Sequence, residues 1–346
     1  MNEDTQDLVG MNTGVLIQEP KGSDFLAGGA SAIVPEIRLE TGDWSPYLPK
    51  DEMQIGVYFD TMACVTFSAL NSIETQLNYM LAMGQIPATS VQKFRDLGVL
   101  VGNVFNFSDR FTAKMSGTTR QGNYLVNVWD SIRNHGLLAE SDWAYPREQR
   151  QPVFDWDDYY KEIPQSLKDK ALKIKDLIET KYEWLVAGGQ AMPIQFSTWL
   201  KMAPIQLATA ICPPWGAGEI VPECSLNVGH ATELYKVAPD CYRIEDHYSP
   251  FQKRLSLAYE IPYALRGVVY IKSGIALDPA LGKRLAGKIL LNVEDRGAIW
   301  YITPRGTRAR IGNKPEEVEA FLQMIRDKRV ETLGINNADL LKIPTA

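Results

Sequence analysis

The sequence predicts an α+β fold in which helices come first and strands follow, and two observations carry that expectation. From Cys64 to Met83, apolar residues return at helical spacing (Phe67, Leu70, Leu77, Met80 and Leu81), the signature of a helix face. After Gly189 the period falls to two, in Ile194-Gln195-Phe196, Ile205 to Ala208, Ala231 to Tyr235, Tyr242 to Ile244 and Val268 to Ile271, as in strands. Helical and strand runs segregated along one chain indicate α+β, with the two halves packed side by side. The 346 residues are 45% hydrophobic and 23% charged, a globular composition that excludes disordered, collagen-like and coiled-coil classes.

Residues 1–53 are rich in Gly, Pro, Asp and Glu, with short apolar pieces at Phe25-Leu26-Ala27 and Ala32-Ile33-Val34. They read as an extended arm without a core of its own. The body, 54–278, opens with the helix at 64–83, which places Cys64 near its N-terminus. A second helix is expected over 91–97 and a third over 124–134, the latter closed by His135-Gly136, where Gly suits a left-handed cap. Leu167, Ala171, Ile174, Ile178, Tyr182 and Leu185 predict one long amphipathic helix up to Gly188-Gly189. From 279 to 346 a small α/β module follows. Its strands are expected at 288–293, 298–303 and 307–311, the first two joined at Glu294-Asp295-Arg296-Gly297, and a helix over 315–327 carries Pro315 at an early position. A unit of this size is small for an independent core.

Thirty-six basic against 42 acidic residues give a net charge of −6, which argues against nucleic acid as a partner. The uncharged stretches 185–200 and 202–218 are interrupted by Gly, Pro and Gln and fall short of the roughly 20 apolar residues of a membrane span. A soluble protein is expected. The acidic start lacks an apolar segment, so no secretory signal is expected. The four cysteines, Cys64, Cys212, Cys224 and Cys241, are expected to be mainly reduced thiols, the three late ones being able to pair. With no Cys-x-x-Cys or His-x-x-x-His spacing, neither a metal site nor a cofactor is expected.

A thiol at a helix start feels the positive end of the helix dipole, which favours the nucleophilic thiolate. A buried structural cysteine fits the same position. A thiolate nucleophile needs a histidine to share its proton and a third group to orient the ring. His230 opens a predicted strand, and Asp246 follows sixteen residues later at the end of the next. Antiparallel neighbours bring such residues together, although a histidine at a strand start is also compatible with a structural role.

Cys64-Val-Thr-Phe-Ser-Ala-Leu-Asn-Ser-Ile-Glu74 resembles the Cys-Trp-Ala-Phe-Ser-Ala word of papain-like cysteine peptidases, followed by a helix reaching Ile-Glu. Gly122-Asn123-Tyr124 resembles that family's Gly-Gly-Tyr segment, and Glu140 to Pro146 resembles its acidic, Tyr-Pro-containing turn. His230-Ala231 resembles its His-Ala, and Glu245-Asp246-His247-Tyr248 its Asn-Ser-Trp region. These words follow the family's order over roughly residues 50–272. The resemblance implies a two-lobed papain-like fold, with Cys64 as nucleophile, His230 as its ion-pair partner and proton donor, and Asp246, where the family has Asn, orienting the ring. An Asp there is expected to hold a protonated imidazole at least as firmly. Gly122 and Asn123 would hold an extended peptide substrate, while Glu74, His135 and His247 are expected to be structural, His247 on the opposite strand face.

Three departures stand out. The Cys-to-His separation of 166 residues exceeds the family's roughly 130–150, an excess assigned to the long helix as an insertion. The oxyanion-hole Gln expected six residues before the cysteine is Tyr58; Gln54, ten residues ahead, is the substitute. A long pro-region of the family type is not evident in the arm. The module resembles, in Leu285 to Tyr301 and Leu333 to Leu340, one found at the ends of bacterial surface proteins. It is read either as attachment or docking surface or as plain fold-completing structure. The expected function is a bacterial or phage cysteine peptidase acting on a peptide or protein substrate through a thioester acyl-enzyme, cytoplasmic or in a virion. The alternatives are a catalytically weak papain-like structural or binding protein, such as a virion component, or a cell-wall peptide hydrolase. A transglutaminase-like transferase shares the triad logic but fits these words less well.

Overall fold

The computed structural model describes residues 10–21, 24, 33, 36–215, 218–223, 226–272, 283–292, 298–303, 305, 307–310 and 332–335. The chain divides into two compact units, Met1–Lys272 and Ser273–Ala346. In the first, the helical half comprises β1 (Val15–Leu16), α1 (Cys64–Ala82), α2 (Ala88–Asp96), β2 (Leu100–Val101), β3 (Val104–Phe105), α3 (Asp109–Met115), β4 (Asn123–Tyr124), α4 (Leu125–His135), α5 (Trp156–Tyr159) and α6 (Gln165–Lys175). The sheet half comprises β5 (Ile178–Ala187), α7 (Pro193–Leu200), β6 (Ile205–Thr209), β7 (Ile220–Val221), β8 (His230–Val237), β9 (Cys241–Glu245), β10 (Gln252–Ser256) and β11 (Tyr263–Ile271). The fold class is α+β. Seven strands pair in the order β5-β11-β6-β8-β9-β10-β7, antiparallel throughout except β10 with β7.

α1 is buried on all sides from Cys64 to Met80 and packs against β8 and β11, the setting of a core helix. Its polar side chains find partners there. Gln76 Nε2 donates to the Gly267 carbonyl at 3.0 Å, and its Oε1 accepts from Val269 N at 3.1 Å. Glu74 accepts from Phe107 N at 2.6 Å, so it serves structure. Behind this helix, Trp129 of α4 occupies the space a Cβ at Gly267 would need, 2.0 Å from the ring. The indole donates to Gln206 Oε1 at 3.0 Å, and Gln206 Nε2 donates to Val65 O and Ser68 Oγ, both at 2.8 Å. α4, β6 and the first turn of α1 are thereby tied together, which fixes where Cys64 stands.

Two sequence expectations are corrected. The long helix over 165–187 ends at Lys175, and Ile178–Ala187 is a strand paired with β11. Ile178 and Tyr182 lie four apart, a spacing that fits both periods; Thr180, Trp184 and Val186 lie on the same alternation and are buried with them. Ile194 to Phe196 lies in α7. Pro193 begins this helix, Gln195 Oε1 accepts from Met192 N at 2.9 Å, and Phe196 and Leu200 bury one face four residues apart.

In the second unit, β12 (Ile289–Asn292), β13 (Ala298–Ile302), β14 (Arg308–Arg310) and β15 (Thr332–Ile335) form a sheet in the order β14-β13-β12-β15. β12 and β15 run parallel and the other pairs antiparallel. The turn expected at 294–297, the helix expected over 315–327, the apolar piece at 25–27 and Cys224 lie outside the described residues. Among the described residues no helix is long and apolar enough to cross a membrane.

Candidate functional site

Cys64 is the first residue of α1, fully buried, and preceded by Ala63 and by Met62, whose φ is +56°. Non-glycine residues rarely adopt that conformation, which here aims the chain into the helix. Asp60 Oδ1 supports the turn by accepting from Met62 N at 2.8 Å. Burial pushes the Cys64 thiol up from its ordinary range, against the lowering effect of hydrogen-bonding contacts with the Ala231 backbone and the Thr13 side chain. Burial thus favours the neutral thiol in this arrangement, whereas the ion pair that the family resemblance implies needs the charged form. Desolvation of the fully buried sulfur outweighs these contacts.

His230 opens β8 opposite Thr209 of β6 and is fully buried. Its Nε2 lies 2.5 Å from Asp246 Oδ1 and its Nδ1 2.6 Å from Thr13 Oγ1. Asp246 follows the last residue of β9, so the antiparallel β8–β9 pair brings the two together. Its Oδ1 also accepts from His247 N at 2.7 Å, while Oδ2 accepts from Trp215 Nε1 at 2.9 Å and Lys253 Nζ at 2.5 Å. Burial alone would raise the Asp246 carboxyl; Lys253 and His230 overcome it and hold the group below the usual carboxylate range. An ionised carboxylate only accepts, so in the neutral ring Nε2 carries the proton and Nδ1 accepts from the Thr13 hydroxyl.

Gln54 Nε2 donates to the Thr13 carbonyl at 2.7 Å and to Asp60 Oδ1 at 2.6 Å, and Gln54 N donates to His247 O at 3.0 Å. Gln54 and His230 thus both contact Thr13. Tyr58 is half-exposed, with its hydroxyl on the Arg150 carbonyl. Asn123 N donates to the Gly14 carbonyl at 2.8 Å, and β1 pairs in parallel with β4, Val15 opposite Asn123 and Leu16 opposite Tyr124. An apolar recess lined by Leu125, Trp184, Ala208 and Tyr263 borders Val15 to Gln18. The segment Gly122-Asn123-Tyr124 therefore holds an extended peptide, and that peptide is the chain's own arm.

Four participants escaped the sequence reading: Thr13, Asp60, Trp215 and Lys253. Thr13 sits in an arm without periodicity, and Lys253 resembles a surface charge in Gln252-Lys253-Arg254. His247 was expected on the opposite strand face; it lies past the end of β9, where alternation stops, with its ring 6.3 Å from His230 and 5.1 Å from Phe67. Burial pushes it down to about 3, so it is neutral. His135 ends α4 and is exposed. Cys212 is disulfide-bonded, within the pairing that the sequence leaves open for the late cysteines, while Cys64 and Cys241 are free. Among the described residues no cluster of three or more His, Cys, Asp or Glu side chains is arranged to hold a metal ion.

Beside the site, Arg147 lies 3.6 Å from both Glu52 and Asp109 and 3.9 Å from Glu140, and its Nε donates to the Met53 carbonyl next to Gln54. Burial and then the neighbouring Glu52 push Glu140 up to about 7.

No family model matches the sequence, and no curated protein matches it. Among solved structures, the chain is similar to digestive procathepsin L 3 of Tenebrio molitor larval midgut, at 14% identity and a TM-score of 0.46, over 76% of this chain and 78% of that one. It is also similar to xylellain, a cysteine protease from Xylella fastidiosa, at 14% identity and a TM-score of 0.45, over 77% and 96% of the two chains. The bromelain protease from Ananas comosus, in complex with the E64 inhibitor, is similar at 11% identity and a TM-score of 0.42, over 65% and 97%.

Proposed function

We propose that this chain is a papain-like cysteine peptidase kept latent by its own residues 10–19. The observation that carries the reading is a peptide bound in the site: the Thr13 carbonyl rests on Gln54, and the Thr13 hydroxyl contacts both Cys64 and His230. A cleft that holds backbone in extended form beside a cysteine, a histidine and a carboxylate has the parts for acyl transfer.

With the arm displaced, water reaches Cys64 and the penalty on its thiolate falls. His230 Nδ1, released from Thr13, takes the thiol proton. The sulfur then attacks a substrate carbonyl carbon, and the oxyanion is received by Gln54 Nε2. His230 returns its proton to the leaving amine, a thioester remains on Cys64, and water activated by His230 hydrolyses it to a carboxylic acid. Asp246 keeps Nε2 protonated and Nδ1 turned toward the sulfur throughout.

The full burial of Cys64 and its raised proton affinity favour a second reading, a catalytically silent binding protein that keeps the fold. A cell-wall peptide substrate fits the same chemistry. We assign the second unit a docking role and the chain a bacterial or phage origin. The disulfide at Cys212 supports an oxidising surrounding, so of the two expected destinations we retain the particle outside the cell. The deciding experiment is hydrolysis of a denatured protein by the chain carrying Gly14→Val, compared with the same chain carrying Cys64→Ala. Cleavage that disappears with Cys64 supports the peptidase; no cleavage by a folded, arm-displaced chain supports the silent protein.

A further inference from the structure

Lys253 is 4% exposed, the second residue of β10. A lysine is almost never buried without a partner, and this one has three. Its ammonium lies 2.6 Å from the Tyr248 carbonyl, 2.7 Å from the Pro250 carbonyl and 2.5 Å from Asp246 Oδ2, which uses all three of its donors. Asp246 is equally saturated. One oxygen takes His230 Nε2 and His247 N, and the other takes Trp215 Nε1 and Lys253 Nζ.

From these contacts, and resting on the reading of Cys64 and His230 as the reacting pair, we infer that Lys253 is a positioning residue that cancels the charge of Asp246, so that the buried carboxylate orients His230 as a neutral amide would. This revises the expectation that an Asp at this place holds a protonated imidazole at least as firmly as the family's Asn. A lone carboxylate in a dry site would lock the ring in its charged form and oppose its work as a base. The carboxylate–ammonium pair keeps the strong acceptor for Nε2 without adding net charge beside the ring. The remaining groups around His230 are the Cys64 thiol from α1, the Thr13 hydroxyl from the arm, the Trp215 ring, and His247 and Tyr248 from the bend after β9. Asp60 accepts from the Tyr248 hydroxyl, and Arg147 acts electrostatically on His247. None of these contacts Asp246 with a second cation.

The test is a histidine-ring NMR titration of the full chain, in which three histidines give few enough signals for His230→Ala to assign the one required. Lys253→Met should raise the His230 midpoint by about 1 pH unit or more, the effect of an uncompensated neighbouring carboxylate. Asp246→Asn alone, which leaves the ammonium unbalanced, should lower it. The double variant Asp246→Asn/Lys253→Met should return it to within about 0.3 unit of the parent, and Lys253→Arg should leave it in place. A midpoint unmoved by Lys253→Met, or a double variant displaced as far as the single one, overturns the inference. If Lys253→Met does not fold, Asp246→Asn against the double variant decides by the same comparison. The readout requires no turnover, so a chain that hydrolyses nothing still reports on Lys253.

Discussion

Replacing Gly14 with valine is expected to open the site. The φ of Gly14 is +123°, and an added Cβ would stand 2.1 Å from the Met62 carbonyl oxygen and 2.4 Å from its carbon, backbone atoms held by the turn before α1. The arm cannot keep its course with a side chain there. Displacing it removes at least four hydrogen bonds close to the site: Gln54 Nε2 to Thr13 O at 2.7 Å, Thr13 Oγ1 to His230 Nδ1 at 2.6 Å, Asn123 N to Gly14 O at 2.8 Å and Thr13 N to Gly229 O at 2.8 Å. At about 0.5–1.5 kcal/mol net each, they hold the arm by about 2–6 kcal/mol. With tenfold per 1.4 kcal/mol, the open fraction should rise by about 30-fold to about 10⁴-fold. The assay is the second-order rate of Cys64 alkylation by an epoxysuccinyl or vinyl-sulfone reagent. The Gly14→Val chain should react at least about 30-fold faster than the parent, and a free peptide of residues 10–19 should slow it again. Equal rates in two equally folded chains would refute the arm as the barrier.

In the Gly14→Val chain, Gln54→Ala should lower kcat by about 10²–10³ with little change in KM, as removal of an oxyanion donor does; an unchanged kcat removes Gln54 from the reaction. Gly267→Ala should destabilise the fold by about 1–3 kcal/mol through overpacking, since its Cβ would lie 2.0 Å from the Trp129 ring; thermal unfolding checks it, and an unchanged Tm contradicts the packing described. Burial pushes Glu233 up to about 8 and Glu245 up to about 9. Carboxyls raised in the folded state bind protons that the unfolded chain has already released, so stability is highest near pH 4–5 and falls as pH climbs through 8 and 9. Tm should drop between pH 5 and 9, and Glu233→Gln with Glu245→Gln should flatten the decline; a Tm that rises over that window is inconsistent with both shifts.

The parts of the site that lie on regular elements were legible in the sequence. Cys64 announces itself because the helical period begins there, and His230 and Asp246 because they bracket two strands with clear alternation. Gln54 was reachable only as a substitute for an absent residue at Tyr58, since the length of the loop before α1 is not written in any period. Thr13 was not legible at all: its role comes from a tertiary course through Gly14, and an arm without periodicity gives no register. Lys253 was hidden for another reason, that a charged residue between Gln252 and Arg254 reads as solvated surface unless its three buried acceptors are known. The misread helix over 165–187 has the same root, because spacings of four satisfy a strand as well as a helix, and only the pairing of β5 with β11 decides.

The most direct measurement is acid-quench mass spectrometry of the Gly14→Val chain during turnover of a peptide ester. A cysteine peptidase with Cys64 as nucleophile predicts an acyl adduct on the tryptic peptide containing Cys64, lost on hydroxylamine treatment and absent in His230→Ala. Turnover without that adduct, or an adduct on Cys241 instead, would contradict the assignment.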